Sequence, residues 1–141
     1  MFGILIVTHG LLASELVKAA KTIVGGSMER IMPVSIGWNQ DMEKARRKIE
    51  SAIEELAGEE GVIILTDMFG GTPTNISLTF LEEEQVEVLT GVNLPMVIKL
   101  ITLQDEGADL TSAARLARDR GQQSIFVASE ILNAKGFAEK E

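Results

Sequence analysis

The only histidine of this 141-residue chain, His9, lies where an imidazole could do chemistry. It follows an apolar run at residues 4–7 and precedes Gly10 and an amphipathic helical pattern. This order places the imidazole at the carboxyl end of a first strand, just before a helix. Ligands of open α/β sheets bind at the carboxyl ends of strands, and helix amino termini offer unpaired N–H groups to anions. His9 is therefore a candidate catalytic residue beside a site for a phosphate or a carboxylate.

A second polar residue, Asp67, follows the third apolar run in the same way as His9 follows the first. Because strands one and three are often neighbours in doubly wound sheets, we expect the two side chains to meet in one crevice. A carboxylate that accepts the Nδ1 hydrogen of an imidazole fixes its tautomer and leaves the Nε2 lone pair free. The same carboxylate stabilises a positively charged or phosphorylated ring. The pair is thus predicted to be catalytic, with His9 as the nucleophile and Asp67 as its orienting group.

A glycine-rich turn after Asp67 is the predicted cradle for phosphoryl oxygens. Gly70 and Gly71 allow a close approach of the backbone to an anion, and Thr72 supplies a hydroxyl group. Gly10 is the corresponding residue beside His9. Taken singly, each of these residues has an ordinary explanation as part of a turn or a helix start. Their joint position at the ends of two apolar strands favours a functional site.

Strands alternate with helices along the whole chain. Apolar runs predict strands at residues 2–8, 30–36, 62–66, 86–90 and 124–128, and periodic patterns predict helices at 11–24, 42–56, 74–83, 94–103 and 110–120. Alternating βα units imply a parallel sheet with helices on both faces and right-handed crossovers. The predicted fold class is therefore α/β, a doubly wound and mostly parallel five-stranded sheet, in one domain of residues 1–141.

Composition excludes several classes of function. The net charge of −8 disfavours nucleic-acid binding, which needs basic patches. A single histidine without any cysteine disfavours a zinc or copper site. The amino terminus has no basic region before its short apolar run, and no apolar stretch has the ~20 residues needed to span a bilayer. We therefore expect a cytoplasmic protein.

The roles of Trp38 and of the predicted helix at 94–103 remain open in the sequence. Trp38, the only tryptophan, lies in a predicted loop at the same edge of the sheet as His9, where it either lines the site or contacts a partner, or packs half-buried. The predicted helix at 94–103 is apolar almost all round except at Lys99, so it must be buried on more than one side. Either a subunit interface or the interior of the monomer would bury it.

Three spaced motifs together resemble the mannose-type enzyme IIA family of the bacterial phosphoenolpyruvate-dependent sugar phosphotransferase system, and the resemblance covers residues 2–128. The motifs are Thr8-His9-Gly10, then Asp67 followed by Gly70-Gly71-Thr72-Pro73 and Asn75, then Gly91-Val92-Asn93-Leu94-Pro95. The family often has serine where Thr72 stands, and the hydroxyl group is retained.

The resemblance implies a phosphotransferase that works through a phosphohistidine. His9 would accept a phosphoryl group on Nε2 from the histidine phosphocarrier protein and pass it to a IIB component of a mannose/fructose-type sugar transport system, while Asp67 holds the other ring nitrogen. We expect neither a metal nor a small-molecule cofactor. No IIB domain follows within the chain, so we expect the acceptor to be a separate protein and any membrane contact to be made through the transporter. The resemblance also implies a homodimer, with a final antiparallel strand exchanged between subunits.

Other functions fit the same residues less well or equally well. A phosphorylation-dependent regulator with the same chemistry at His9 remains an alternative. The phosphocarrier subunit of dihydroxyacetone kinase is similar in its first domain, but its usual form carries further fused domains that this sequence lacks. Histidine phosphatases have arginine where Thr8 stands and need a second catalytic histidine, so they are disfavoured.

Overall fold

The computed structural model describes residues 1–26 and 30–134, and in these residues strands and helices alternate as far as the fourth strand. The four strands are β1 (Gly3–His9), β2 (Ile31–Ile36), β3 (Val62–Thr66) and β4 (Val86–Leu89). The six helices are α1 (Leu12–Val24), α2 (Met42–Leu56), α3 (Thr72–Leu78), α4 (Leu94–Asp105), α5 (Leu110–Gln123) and α6 (Ala128–Ala134).

The strands form one parallel sheet in the order β2-β1-β3-β4. Val7 of β1 is in register with Val34 on one side and with Thr66 on the other. The chain order reverses between β1 and β3, so the crevice above these two strands is the switch point at which ligands of such sheets bind. The predicted neighbourhood of strands one and three is confirmed.

Helices cover both faces of the sheet, and each face has its own core. Along β1, Ile4 and Ile6 join a cluster with α1, α4 and α5, whereas Leu5 and Val7 join a cluster with α2 and α3. All four side chains are fully buried. Because both faces are covered, the central strands are continuous apolar runs without alternation. This confirms an α/β architecture with a parallel sheet between two helical layers.

The apolar helix α4 is buried within the monomer. It packs against α5 and α1, and Val97, Leu100 and Ile101 join the core on that face of the sheet. The monomer interior thus accounts for the burial of these residues, since α5 supplies the second covering layer. The composition of α4 gives no independent support for a dimer.

The predicted strand at 124–128 does not belong to the sheet of the single chain. Helix α5 continues to Gln123, residues 125–127 have no regular structure, and α6 follows. The part of the chain that the structure describes thus has four parallel strands, without a fifth and without an antiparallel one. A strand needs a neighbour for its backbone groups, and this segment has none among the described strands. Its side chains are exposed by 75% at Ile125, 65% at Phe126 and 61% at Val127.

Helix α3 begins earlier and ends earlier than the predicted range of 74–83. It starts at Thr72, with Pro73 in the first turn, where the missing N–H of proline costs nothing. It ends at Leu78 because Thr79 and Phe80 donate their N–H groups to the carbonyls three residues back, which tightens the last turn. The glycine-rich turn is therefore shorter than expected, and Thr72 lies in the helix.

Candidate active site

The switch point of the sheet brings His9 and Asp67 into direct contact. His9 is the last residue of β1, and Asp67 is the first residue after β3. The imidazole Nδ1 lies 2.7 Å from the Asp67 Oδ2, and the backbone N–H of His9 donates to the same oxygen at 2.9 Å. The two side chains therefore share one crevice, as the sequence predicts.

The carboxylate of Asp67 is fixed at both oxygens. Its Oδ1 accepts the N–H of Met68 at 3.0 Å, while Oδ2 receives both hydrogen bonds from His9. Burial acts to raise the pKa of Asp67, but the hydrogen bonds from His9, the charge of its ring and the Met68 N–H outweigh burial and hold this pKa below 3.8. Because an ionised carboxylate can only accept, His9 in its neutral form carries its hydrogen on Nδ1 when bonded to Asp67, which leaves the Nε2 lone pair free.

Two buried threonines hold the loop that carries Asp67. The Thr74 hydroxyl donates to the Met68 carbonyl, and the Thr66 Oγ1 lies 2.6 Å from the Thr74 Oγ1. Since Thr74 has only one hydroxyl hydrogen, Thr66 donates to Thr74. The end of β3 is thereby tied to α3. The sequence analysis missed this pair; the signal was a polar residue that ends an otherwise apolar strand.

The two glycines of the loop have different reasons to be glycine. At Gly71 an added Cβ would lie 2.8 Å from the His9 Cε1 and 3.4 Å from Nε2, although the backbone φ of −86° suits any residue. At Gly70 the φ of +93° favours glycine, while a Cβ would meet nothing within 4 Å. Gly71 therefore lies against the His9 ring on the side of Cε1 and Nε2, and Gly70 shapes the turn.

Gly10 lies beside His9 and uses its backbone N–H within the fold. Its backbone N–H donates to the Ile36 carbonyl at 3.0 Å, so this group is not free to bind a phosphoryl oxygen. Its φ of +55° turns the chain from β1 into α1. The hydroxyl of Thr8 completes this connection by accepting the N–H of Ala13 at 2.7 Å. Gly10 is a turn residue that links the first two strands to the helix after His9.

Trp38 lies on the imidazole ring. The centroids of the two rings are 5.0 Å apart and their planes differ by 17°, which is a stacked arrangement. The Trp38 side chain is nevertheless 78% exposed, so the interpretation as a half-buried packing residue is wrong. The stack on His9 supports the other interpretation, that Trp38 lines the site or contacts a partner.

Comparisons with known proteins agree with this geometry. Residues 3–116 match the family described as the PTS system fructose IIA component. The chain belongs to this family. It is 29% identical over 133 residues to the PTS system fructose-specific EIIA component of Bacillus subtilis (strain 168), which covers 94% of this chain and 90% of that relative.

Two further relatives cover most of this IIA chain. The PTS system mannose-specific EIIAB component of Escherichia coli (strain K12) is 28% identical over 124 residues, 87% of this chain but only 38% of the relative's own length. A crystal structure of the PTS IIA protein associated with the fucose utilization operon of Streptococcus pneumoniae is 28% identical, with a TM-score of 0.82 over 92% of this chain and 95% of that one. The family and its fold are shown for this chain.

Large apolar side chains are exposed in the segments that adjoin the site of this IIA chain. They come from the segments directly after His9 and Asp67 and from the loop after β2, and we call them the apolar rim: Leu11, Leu12, Trp38, Met68 and Phe69. Their exposed fractions range from 47% at Leu12 to 78% at Trp38. Exposed apolar patches of this kind mark sites of contact with another macromolecule.

The His9 imidazole of this IIA chain is partly open to solvent. The His9 side chain is 21% exposed. A cleft of about 640 Å³ lies elsewhere, between β2 and α2, with Lys44, Arg47 and Lys48 in its lining.

Among residues 1–26 and 30–134, no group of three or more histidine, cysteine or acidic side chains is arranged to hold a metal ion. In the same residues, no helix is both long and apolar enough to cross a bilayer.

Proposed function

We propose that this chain is a phosphocarrier that accepts a phosphoryl group on His9 Nε2 from the histidine phosphocarrier protein and passes it to a IIB component. The transport system is of the mannose/fructose type, and we place the protein in the cytoplasm with these partners. The observation that carries the proposal is the hydrogen bond of 2.7 Å between His9 Nδ1 and Asp67, which leaves Nε2 as the nucleophile. Membership of the IIA family supports it.

The transfer needs no proton movement at His9. The Nε2 lone pair forms a new bond to phosphorus, while the bond from phosphorus to the donor histidine breaks and its electron pair returns to the donor ring. The hydrogen on Nδ1 stays in place, so the phosphorylated imidazole is a cation opposite the Asp67 carboxylate. Transfer to the IIB component repeats the exchange in the other direction. Positioning and electrostatics supply the catalysis.

The phosphoryl oxygens are proposed to lie along the start of α3. Gly71 flanks Nε2 so closely that a methyl group there would fill the space of the incoming group. Thr72 follows Gly71 as the first residue of the helix and carries a hydroxyl and a backbone N–H. Gly70 supplies the turn that makes this approach possible. Gly10 contributes the turn after His9. Its N–H does not bind the phosphoryl group, because it already donates to the Ile36 carbonyl.

The partners are proposed to dock on the apolar rim around His9. A phosphoryl group that moves between two histidines requires the two proteins to touch at the nucleophile, and a partly exposed His9 allows this. The burial of Trp38, Phe69 and Leu11 in such a contact would remove large apolar surfaces from water. The same rim would serve the donor and the acceptor in turn.

A homodimer with an exchanged last strand is part of the proposal. Ile125, Phe126 and Val127 form an exposed apolar stretch, and β4 is an edge strand that can pair with a further strand. The other edge strand, β2, is less suitable. The carbonyls of Arg30 and Ile36 accept hydrogen bonds from β1, so the even-numbered residues of β2 direct their backbone groups towards β1. The backbone of Pro33 therefore faces outward, where proline has no N–H to offer to a further strand. An antiparallel strand from the second subunit would thus add beside β4.

The test is phosphorylation from phosphoenolpyruvate through enzyme I and the histidine phosphocarrier protein. The wild-type chain should take up label that is labile in acid and stable in alkali, as expected of a phosphohistidine, and His9→Ala should take up none. Addition of a IIB component should then remove the label. No label on folded wild-type protein would refute the proposal. A label on His9 that no IIB component removes would refute the transport role and favour a regulator.

A further inference from the structure

Trp38 has an unusual position for the largest side chain of the protein. It is 78% exposed, and yet its indole lies flat over His9 with centroids 5.0 Å apart. The chain builds a tight turn to hold it there: the Gly37 N–H donates to Gln40 Oε1 at 3.0 Å, and the Gln40 N–H donates to the Gly37 carbonyl at 3.2 Å. This turn keeps the indole near the imidazole.

The turn is also tied to the strand that carries His9. Ile36, the last residue of β2, is in register with His9, and its carbonyl accepts the N–H of Gly10. Two residues later the chain reaches Trp38. Trp38 therefore lies in the turn two residues beyond the strand position that is in register with His9, and this register brings the indole close to the imidazole.

The hydrogen bond to Asp67 does not by itself fix the direction of Nε2. The ring is held at its bond to Cβ and at Nδ1, and these two points define an axis about which the ring can still tilt. Nε2 lies off this axis, so its lone pair swings with the tilt. A flat stack with an interplanar angle of 17° opposes that motion, because offset-stacked aromatic rings resist a change of plane.

We propose that Trp38 is a positioning residue for phosphoryl transfer, and this inference rests on the proposed function. The indole sets the plane of the imidazole, so that the Nε2 lone pair points in line with the incoming phosphorus. Such transfers depend steeply on orientation. The π face of the indole also favours the cationic phosphorylated ring beneath it. Trp38 acts through His9 and is not itself a catalytic residue.

A comparison of single-turnover rates tests the inference. Transfer from the phosphorylated carrier protein is followed over a range of carrier concentrations, for wild type, Trp38→Ala and Trp38→Phe. The rate at saturation should fall about tenfold in Trp38→Ala, and most of it should return in Trp38→Phe, which keeps a flat ring. Phe69→Ala removes another exposed aromatic ring of the rim that does not stack on His9, and it should mainly raise the carrier concentration at half-maximal rate.

Ile23→Ala is the matched control, since Ile23 is an exposed apolar residue on α1 away from the site. It should transfer like wild type. If Trp38→Ala keeps the saturated rate and only raises the concentration at half-maximal rate, Trp38 is a docking residue and the inference is overturned. A wild-type protein without label overturns the proposed function as well, so the two failures are distinct.

Spectroscopy gives a second test, which reports directly on the stack between the two rings. Trp38 is the only tryptophan and His9 the only histidine, so the signals of both rings are unambiguous. The ring protons of His9 should show an upfield shift from the indole that disappears in Trp38→Ala. Phosphorylation should change the Trp38 fluorescence of wild type, and the same treatment should leave that of His9→Ala unchanged. Absence of the ring-current shift in folded wild type would overturn the inference.

Discussion

The carboxyl ends of β1 and β3 differ from the segment after α5 in how their groups are partnered. At the strand ends, both oxygens of Asp67 accept hydrogen bonds, and Thr66 and Thr74 hold its loop. At residues 125–127, three consecutive apolar side chains are exposed. The first region is complete within one chain, whereas we propose that the second is completed by another subunit. The contrast separates the chemistry of the site from the assembly of the protein.

The largest effect is expected on phosphoryl transfer, at the contact between His9 and Asp67. Asp67→Asn should remain folded but slow phosphoryl transfer about 100-fold, because it removes the counter-charge and because an amide can donate to Nδ1 and move the ring hydrogen to Nε2. The measurement is the single-turnover rate from the phosphorylated carrier protein.

Asp109→Asn is the matched control for this change. Asp109 is also a carboxylate that accepts a backbone N–H, here from Ser112 at 2.9 Å at the start of α5. It lies away from His9, so its variant should transfer like wild type. Transfer at the normal rate in Asp67→Asn would show that the orienting role of Asp67 is wrong.

The next largest effect is expected on dimer formation, at residues 125–127. Phe126→Asp places a charge in the middle of the exposed apolar stretch, so the dissociation constant of the dimer should rise about 30-fold. Sedimentation over a range of concentrations measures this. A wild-type protein that is strictly monomeric at micromolar concentration would contradict the homodimer.

A pair of glycine variants tests the geometry around Nε2. Gly71→Ala should slow transfer about tenfold with little loss of stability, because its methyl group would press on the imidazole while its φ is ordinary. Gly70→Ala should instead lower the free energy of unfolding by about 1 kcal/mol, since a side chain disfavours its positive φ. Transfer rates and urea unfolding separate the two effects. The opposite pattern would mean that Gly71 does not border the phosphoryl site.

The smallest effect is on stability in acid. The pKa of Asp67 is lower in the folded protein than the ordinary value of 3.8, so its ionisation stabilises the fold above that pH. This contribution is lost as the pH falls through the lowered value. The difference in unfolding free energy between wild type and Asp67→Asn should therefore shrink on going from pH 7 to well below 3.8. A difference that is constant with pH would contradict the lowered pKa.

The same contrast explains what the sequence predicts and what it does not. His9 and Asp67 could be paired in advance because each directly follows an apolar strand, and the parallel order of β1 and β3 then fixes their distance. The stack of Trp38 depends on the register between β1 and β2, which no local pattern reveals. The sequence does not reveal that the Gly10 N–H is bonded to the Ile36 carbonyl, because this contact joins distant parts of the sequence.

The remaining differences between the predictions and the structure arise from contacts with residues that are distant in the sequence. The helix α4 has no polar face because α5 and α1 both cover it, and its sequence alone does not distinguish this from a subunit contact. Residues 124–128 have the composition of a strand, but a strand forms only beside a partner strand. Local propensity therefore predicts a strand correctly only where a neighbouring strand is available to pair with it.

The most direct test of the central claim is to find which nitrogen of His9 carries the phosphoryl group. Nuclear magnetic resonance of the ¹⁵N-labelled, phosphorylated wild-type chain should show coupling of phosphorus to Nε2, with the hydrogen retained on Nδ1. Phosphorylation of Nδ1, or of any residue other than His9, would contradict the account, because Nδ1 is the atom that Asp67 holds.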